Sequence, residues 1–211
     1  MQRTRVKICG ITEEESLFAA ADAGADAVGF VFHPKSRRFI EPDDAFELIS
    51  FLPPFVSSVG LFVDAPVEAF TEIEEICPVS FSQLHGNESE ETVRRCGPGV
   101  IKAVKFDAAT IERELARWNR IEEVDSILVD GSSGGEGTSF DWAVLAKAKG
   151  VTNKPLIIAG GLTPENVGEA IRIVRPYAVD VSTGVESSPG QKDRKLIEAF
   201  CRAVQRADAA G

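Results

Sequence analysis

The sequence predicts a single TIM-type (β/α)8 barrel with eight parallel strands. Eight short apolar runs rich in β-branched residues alternate with segments of helical spacing along the 211 residues. Strict alternation requires crossover connections and therefore parallel strands, and a continuously apolar run such as 27–32 is typical of a strand covered on both faces. Eight units without a long linker favour a closed barrel over the alternative, an open doubly wound sheet. We therefore expect one α/β domain over residues 1–211.

The apolar runs and the helix start signals place the elements in order. The predicted strands cover residues 6–9, 27–32, 56–62, 79–84, 100–104, 126–129, 156–159 and 178–182. The start signals are two capping-box spacings and three prolines suited to first helical turns, namely Thr12 with Glu15, Pro42, Pro66, Asn87 with Glu90, and Pro164. The last helix is expected from about Gln191 to Arg206.

Composition and charge exclude several classes of protein. The 23 Lys and Arg residues against 33 Asp and Glu residues give a net charge of −10, which disfavours binding to nucleic acid or to an anionic membrane surface. No apolar run approaches the roughly 20 residues of a membrane span, and the first residues lack the apolar core of a signal peptide. The four cysteines form no CxxC pair. We expect a protein of the reducing cytoplasm.

Unusual polar residues stand where the predicted strands end. In a (β/α)8 barrel, the C-terminal ends of the strands carry the functional site. The polar ends are Cys9-Gly10 after the first strand, 33–38 after the second, 83–86 at the fourth, Asp130-Gly131 at the sixth, 159–161 at the seventh and 180–184 at the eighth. These residues should therefore meet at one mouth.

Two glycine-containing loops predict a phosphate site. Gly160-Gly161 and Ser182-Thr183-Gly184 follow strands seven and eight, where barrels commonly bind phosphate through backbone N–H groups at the start of a short helix. A turn that merely needs positive φ would explain one such loop, but two in register favour phosphate binding.

Cys9 is the first candidate for chemistry. The strand period of two places Lys7 on the same face, and a nearby ammonium favours a thiolate, so we expect the pKa of Cys9 to be depressed. The alternative for Cys9 is a small buried hydrophobe, which is our interpretation of Cys77 and Cys201.

Asp130 is the second candidate. An apolar strand delivers its carboxyl group to the mouth, where partial desolvation would raise its pKa into the range of a general acid. A helix cap or a turn aspartate is the alternative. The glycines in 131–137 suggest a loop that closes over a ligand, although a plain surface loop explains them nearly as well.

Other polar residues near the mouth are less specific. Arg37 and Arg38 suit a carboxylate or phosphate, or a solvated loop. Gln83 and His85 share one face of strand four, and with two histidines and no spaced carboxylate partner we predict no metal site. We place Lys102 and Lys105 at the mouth or surface of strand five and assign them no role.

Several segments together resemble the phosphoribosylanthranilate isomerase family of tryptophan biosynthesis. They cover nearly the whole chain in family order and are 7–12 (KICGIT), 29–32 (GFVF) with 34–38 (PKSRR), 83–86 (QLHG), 140–142 (FDW), 160–167 (GGLTPENV) and 180–186 (DVSTGVE). An ordered series of this kind is far more specific than any one motif.

The resemblance implies a cofactor-independent Amadori rearrangement of phosphoribosylanthranilate. It implies that Asp130 is the general acid, that Cys9 is the general base, and that Arg38 faces the anthranilate carboxylate. Further substrate contacts are expected at Gln83, His85 and Asp180, and phosphate contacts at Gly160, Gly161, Ser182, Thr183 and Gly184. The partner is then a small phosphorylated substrate, and the enzyme is expected to be a monomer or a homodimer.

Two positions depart from the family pattern, and rival functions stay open. Glu136 stands where a small hydroxyl residue is more usual, and Arg37 where many relatives carry proline. Rival barrels are indole-glycerol-phosphate synthase, a ribulose-phosphate epimerase, and the isomerase of a histidine-pathway aminoaldose, which would use paired aspartates. A non-enzymatic phosphometabolite-binding barrel is the remaining alternative, and retention of both Cys9 and Asp130 argues against it.

Overall fold

The computed structural model of the chain describes residues 3–131 and 140–210. Eight parallel strands close into a barrel in chain order, because the first strand pairs with both the second and the eighth. They are β1 (Arg5–Cys9), β2 (Ala27–Val31), β3 (Ser57–Phe62), β4 (Phe81–Leu84), β5 (Val100–Lys105), β6 (Val124–Asp130), β7 (Leu156–Ala159) and β8 (Ala178–Val181). The predicted barrel is confirmed and the open sheet is excluded.

Helices connect the strands on the outside of the barrel. They are α1 (Glu14–Asp22), α2 (Pro42–Ser50), α3 (Val67–Ile76), α4 (Glu90–Cys96), α5 (Ile111–Asn119), α6 (Trp142–Ala148), α7 (Val167–Val174) and α8 (Arg194–Ala210). Short 3-10 turns cover Lys149–Val151 and Thr183–Val185. Between β8 and α8 the chain forms an antiparallel hairpin of β9 (Glu186–Ser188) and β10 (Gln191–Lys192).

The strand ends differ from the predicted ones, because backbone pairing rather than apolar content sets them. The largest differences are at β4, which begins at Phe81 instead of Val79, and at β6, which extends from Val124 to Asp130 instead of from Ser126 to Val129. Ser182 lies beyond β8, since its φ of −126° and ψ of −75° leave the extended region.

Several predicted helix starts are wrong. The last helix begins at Arg194 rather than Gln191, because Gln191 and Lys192 pair with β9 and the Asp193 carboxylate accepts a hydrogen bond from the backbone N–H of Leu196. It ends at Ala210 rather than Arg206.

The two predicted capping boxes also fail. Near Thr12 and Glu15, the helix begins at Glu14 and no side chain caps it. Near Asn87 and Glu90, Ser89 takes the capping role and accepts from the N–H of Thr92 at 3.1 Å. At the second of these sites two neighbouring polar residues could cap the helix, and sequence spacing alone chose Asn87 instead of Ser89.

Only one of the three prolines lies inside a helix. Pro42 is the first residue of α2, as predicted, whereas Pro66 is the residue before α3 and Pro164 precedes α7 by a turn. A proline suits each of these positions because none requires its missing backbone N–H.

The interior of the barrel changes character along its axis. A cluster of small and branched apolar side chains fills one part, formed by Val59, Ile101, Ala103, Leu128, Ile157, Ala159 and Ala178. Toward the C-terminal ends of the strands, buried polar side chains replace them, including Lys7, Gln83, Asp130 and Asp180. The apolar cluster therefore forms a solid base on which a polar site is built.

The three cysteines other than Cys9 are buried in the outer core. Cys77 and Cys201 are both enclosed, as predicted, and burial raises the pKa of each thiol to about 11. None of the described helices combines the length and apolarity needed to cross a membrane.

Candidate active site

A cavity of about 700 Å³ opens at the C-terminal ends of the strands. All eleven residues predicted for the site line it, namely Cys9, Arg38, Gln83, His85, Asp130, Gly160, Gly161, Asp180, Ser182, Thr183 and Gly184. Residues from six different strand ends or loops thus meet in one place, as the position of strand ends in a closed parallel barrel requires.

Cys9 lies beside a buried ion pair. Lys7 and Asp180 are opposite each other in the β1–β8 register, and Lys7 Nζ is 2.9 Å from Asp180 Oδ1. Their side chains are only 5% and 8% exposed. The Lys7 ammonium and the Cys9 sulfur both lie against Gly29, where a Cβ would be 3.1 Å from Lys7 Nζ and 2.9 Å from Cys9 Sγ. The predicted proximity of Lys7 and Cys9 is confirmed, but sequence reasoning did not identify Asp180 as the partner of Lys7.

The expected depression of the Cys9 pKa is wrong. Burial raises the pKa of the Cys9 thiol, the Lys7 ammonium lowers it, and the Asp180 carboxylate raises it again, so the net shift is upward. Burial by itself lowers the pKa of Lys7, but Asp180 and Cys9 raise it overall, so Lys7 stays an ammonium. The sequence indicates that a cation lies near the thiol, but it does not show the burial whose effect on the pKa of Cys9 is larger.

Alkylation of Cys9 should therefore require alkaline pH. Because the thiolate is the nucleophile and burial raises the pKa of Cys9, we expect its modification rate by iodoacetamide to rise only above the pH range of an ordinary thiol, about 8.5. The measurement is the rate of Cys9 modification in the wild-type protein, followed by peptide mapping with mass spectrometry at several pH values from about 6 to about 10. A modification rate that is already maximal near neutral pH would contradict this account of the thiol.

Asp130 is held by a row of polar side chains on the opposite wall. His85 Nε2 lies 3.1 Å from Asp130 Oδ2, and His85 Nδ1 lies 2.7 Å from Gln83 Nε2. Gln83 is completely buried, whereas 26% of the His85 side chain is exposed to the cavity. The carboxylate partner of His85 that was not visible in the local sequence is thus Asp130, which is supplied by another strand.

A second buried ion pair supports the turn that carries His85. Lys102 Nζ donates to the carbonyl oxygens of Leu84 and Gly86 and lies 2.7 Å from Glu88 Oε2. The prediction that Lys102 lies at the mouth or surface is wrong. Its side chain points outward from the barrel, packs under the β4–α4 turn and is only 2% exposed. Lys105 is exposed, as expected for the end of β5.

The two predicted phosphate loops lie side by side at one edge of the cavity. Gly160 has a φ of +86°, and a Cβ on it would lie 2.5 Å from both Asp130 Oδ1 and the backbone nitrogen of Gly131. A Cβ on Gly184 would lie 1.9 Å from the carbonyl oxygen of Leu162. Glycine is therefore required at both positions for the loops after β7 and β8 to approach each other and Asp130.

A buried lysine lies directly behind the second of these loops. Lys192 Nζ, on a side chain 1% exposed, donates to the backbone oxygen and the hydroxyl of Ser182 and lies 2.7 Å from Glu186 Oε1. Because Ser182 Oγ accepts from this ammonium, its own hydrogen is available to another acceptor. The arrangement brings positive charge to a loop predicted to bind an anion.

Arg38 reaches the same network from the loop after β2. Its Nε and Nη2 donate to the two carboxylate oxygens of Glu186 at 2.6 and 2.7 Å, and Nη2 also donates to the hydroxyl of Thr183. Burial alone raises the pKa of Glu186, but Arg38 and Lys192 lower it overall, so this carboxylate is ionised. The guanidinium is thereby fixed at the cavity wall. Arg37 is exposed and takes no part in this network.

Sequence reasoning assigned no role to Glu186 and Lys192. Glu186 appeared only within the family segment 180–186, and Lys192 was placed in a helix. A lysine and a glutamate six residues apart carry no periodic signal, and only the β9–β10 hairpin brings them together. Glu136 and nearly all of the predicted closing loop lie outside the described residues.

Among the described residues, no group of three or more His, Cys, Asp and Glu side chains is arranged to hold a metal ion. The chemistry that the cavity offers is a thiol beside an ammonium, a carboxyl group beside an imidazole, and glycine loops backed by a cation. Such a set can move protons on an anionic ligand.

Comparisons with known proteins agree on one family. A family profile described as "N-(5'phosphoribosyl)anthranilate (PRA) isomerase" matches residues 6–203. The N-(5'-phosphoribosyl)anthranilate isomerase of Magnetococcus marinus is 45% identical over 212 residues, which cover 98% of each chain.

Solved structures give the same result. A structure of monomers generated from the dimeric phosphoribosylanthranilate isomerase of Thermotoga maritima has a TM-score of 0.85 at 39% identity, and the match covers 96% of this chain and 99% of that one. A phosphoribosylanthranilate isomerase in complex with reduced 1-(o-carboxyphenylamino)-1-deoxyribulose 5-phosphate has a TM-score of 0.84 at 41% identity, with the same coverage.

Proposed function

This chain belongs to the N-(5'-phosphoribosyl)anthranilate isomerase family, and from that premise we propose that Cys9 and Asp130 are the general base and the general acid of its reaction. The chain is an isomerase of tryptophan biosynthesis, which converts phosphoribosylanthranilate to 1-(o-carboxyphenylamino)-1-deoxyribulose 5-phosphate. The observation that carries the assignment of roles is the position of Cys9 and Asp130 on different walls of one cavity whose rim holds both glycine loops.

The reaction needs one proton donor and one proton acceptor. Asp130 donates a proton to the furanose ring oxygen, the bond from that oxygen to the anomeric carbon breaks, and the anthranilate nitrogen supplies the electrons to form a protonated Schiff base. The Cys9 thiolate then takes the proton from the neighbouring sugar carbon, and the electron pair of that C–H bond moves to the Schiff base to form an enolamine. The enolamine tautomerises to the ketone. Exchange with solvent returns a proton to Asp130 and removes one from Cys9.

Lys7 makes the base possible in a buried site. The reactive thiolate would be an uncompensated charge without the nearby Lys7 ammonium, whose positive charge lowers the pKa of the thiol against the effect of burial. Because Asp180 holds that ammonium at 2.9 Å, the base is part of a three-residue unit. We propose that Asp180 makes at most a minor contact with the substrate, since its carboxylate is bonded to Lys7.

Arg38 and the two glycine loops would bind the two charged ends of the substrate. Arg38 faces the anthranilate carboxylate, and its hydrogen bonds to Glu186 and Thr183 fix the guanidinium plane. The backbone of Gly160, Gly161, Ser182, Thr183 and Gly184 holds the phosphate, with Lys192 behind it. His85 lies beside Asp130 and Gln83 lies behind His85.

The wider properties follow from the same function. We propose that residues 1–211 form one catalytic domain, that the enzyme works in the cytoplasm on a small phosphorylated substrate without nucleic-acid or membrane partners, and that no cofactor takes part, because proton transfers alone complete the chemistry. We expect a monomer or a homodimer, since the Thermotoga maritima relative is described as dimeric and its monomers have been generated.

Substrate choice is tested by comparing two aldose substrates. The wild-type protein should consume freshly generated phosphoribosylanthranilate with saturation in a continuous fluorescence assay, while the histidine-pathway aminoaldose phosphate should be isomerised far more slowly, because Cys9 stands in the place of a second catalytic carboxylate. Faster turnover of the histidine-pathway substrate by folded protein would overturn the assignment.

A further inference from the structure

Gln83, His85 and Asp130 form a hydrogen-bonded row from the barrel interior to the cavity. Gln83 and His85 are two residues apart in the chain and point to the same side of β4, and Asp130 ends β6. The row has two links, from Gln83 Nε2 to His85 Nδ1 at 2.7 Å and from His85 Nε2 to Asp130 Oδ2 at 3.1 Å.

The direction of each link follows from the atoms that form it. An amide nitrogen has only hydrogens to offer, so Gln83 Nε2 donates and His85 Nδ1 must accept. A neutral imidazole that accepts at Nδ1 carries its hydrogen on Nε2, and Nε2 therefore donates to Asp130 Oδ2. The row thus presents Oδ2 with a hydrogen and requires it to act as an acceptor.

The surroundings fix where Gln83 and His85 lie. Gln83 is fully buried, so it cannot turn out to solvent. The backbone on either side of His85 is fixed by Lys102, which donates to the carbonyl oxygens of Leu84 and Gly86. Glu88 accepts from the backbone N–H of Gly86 at 2.8 Å and pairs with Lys102. The position of the imidazole is therefore set before any ligand enters.

We propose that Gln83 and His85 are positioning residues that determine which oxygen of Asp130 carries the catalytic proton. Because His85 makes Oδ2 an acceptor, a protonated Asp130 bears its hydrogen on Oδ1. When that hydrogen moves to the substrate, the resulting carboxylate keeps the hydrogen bond from Nε2, and a bond to an ionised acceptor is stronger than one to a neutral acceptor. The row therefore favours proton release by Asp130. This inference rests on the proposed role of Asp130 as general acid.

A direct substrate contact is the competing role for these two residues. Gln83 has no exposed surface, and both ring nitrogens of His85 are engaged within the row. A contact residue lost by mutation would chiefly raise KM, whereas a residue acting through Asp130 should lower kcat with little change in KM.

The tautomer of His85 can be measured without any assay of activity. The chain has only two histidines, His33 and His85, so the 15N-histidine spectrum of the wild-type protein contains two rings, and His33→Gln assigns them. We expect long-range 1H–15N correlations to show His85 as the neutral Nε2–H form near neutral pH. The Nδ1–H form would overturn the proposal. In that form the Gln83 amide oxygen would accept from His85 Nδ1, and the lone pair of His85 Nε2 would face Asp130 Oδ2, so His85 would donate no hydrogen bond to Asp130.

Variants connect the tautomer to catalysis. We expect His85→Leu to lower kcat by about 10- to 100-fold, the effect of a lost hydrogen bond to a charged group, and His85→Gln to recover most of it because a glutamine amide can donate near the position of Nε2. Equal kcat in wild type and His85→Leu, or a change confined to KM, would overturn the positioning role.

Asp130→Asn separates this inference from the proposed function. The asparagine can present its amide oxygen to Nε2–H, so the His85 tautomer should stay Nε2–H while turnover is lost. Full turnover by this variant would refute Asp130 as the acid whatever the tautomer shows. A wild-type Nδ1–H tautomer together with loss of turnover in Asp130→Asn would refute only the role of Gln83 and His85.

Discussion

Asp130→Asn is expected to lower kcat for phosphoribosylanthranilate by about 10²- to 10⁴-fold, the usual contribution of a general acid. Asparagine has the shape of aspartate and can keep the hydrogen bond to His85, but its amide cannot deliver a proton to the ring oxygen. Ring opening would then depend on water in a cavity that the substrate fills. KM should change little, since the asparagine NH2 group can still donate a hydrogen bond to the ring oxygen although it cannot transfer the proton.

The measurement is steady-state kinetics with a matched aspartate control. Asp125 lies on the same strand but is exposed on the outside of the barrel, so Asp125→Asn should have wild-type kcat. Circular dichroism spectra of both variants establish that the barrel is folded. Wild-type kcat in a folded Asp130→Asn protein would remove Asp130 from the mechanism.

Cys9→Ser should produce a loss of similar size, about 10²- to 10⁴-fold in kcat. The substitution keeps a small polar side chain next to Lys7 but replaces a thiol with a hydroxyl group, which does not ionise in the accessible pH range. Proton removal from the sugar carbon would therefore become the slow step. Substrate carrying deuterium at that carbon should show a larger isotope effect on kcat in Cys9→Ser than in wild type.

Cys201→Ser provides the control for a buried cysteine. Cys201 lies in α8, in the outer core, so its substitution affects packing but not the cavity. We expect a lower melting temperature and unchanged kcat. If Cys9→Ser lost activity only in proportion to its own loss of folded protein, the general-base role would be wrong.

The sequence alone was sufficient to predict the barrel and the convergence of its polar strand ends on one cavity. Parallel strands need long crossovers, so the alternation of elements restricts the fold strongly, and the ends of strands are marked by polar residues such as Cys9 and Asp130 that interrupt apolar runs. All the predicted site residues accordingly reach the same cavity.

The partners within the site could not be predicted, because they come from distant parts of the chain. Lys7 meets Asp180 across 173 residues, and His85 meets Asp130 across 45 residues. Neither contact leaves a periodic signal. The sign of the Cys9 pKa shift was missed for a related reason, since the burial that raises it depends on packing from several strands.

Helix capping failed for a different physical reason. Competing side chains within two or three residues offer caps of nearly equal free energy, and tertiary packing selects among them, as at Ser89 in place of Asn87. The hairpin that brings Lys192 to Glu186 was hidden in the same way, by a polar segment that reads equally well as the start of a helix.

The local distribution of charge explains how an acidic protein can bind an anionic substrate. The net charge is −10, yet Lys7, Lys192 and Arg38 all direct their cationic groups to the cavity region, each held by a carboxylate. We therefore expect attraction for an anionic ligand to be local, in a partly desolvated site where charges are screened less than at the surface.

The central claim is that one thiol and one carboxyl group carry out the isomerisation. The most direct test is an initial-rate fluorescence assay of wild type, Cys9→Ser and Asp130→Asn with a single preparation of phosphoribosylanthranilate. We predict saturable substrate loss by the wild-type protein and a loss of at least about 100-fold in each variant. Wild-type rates in either folded variant, or no turnover by folded wild-type protein, would contradict the claim.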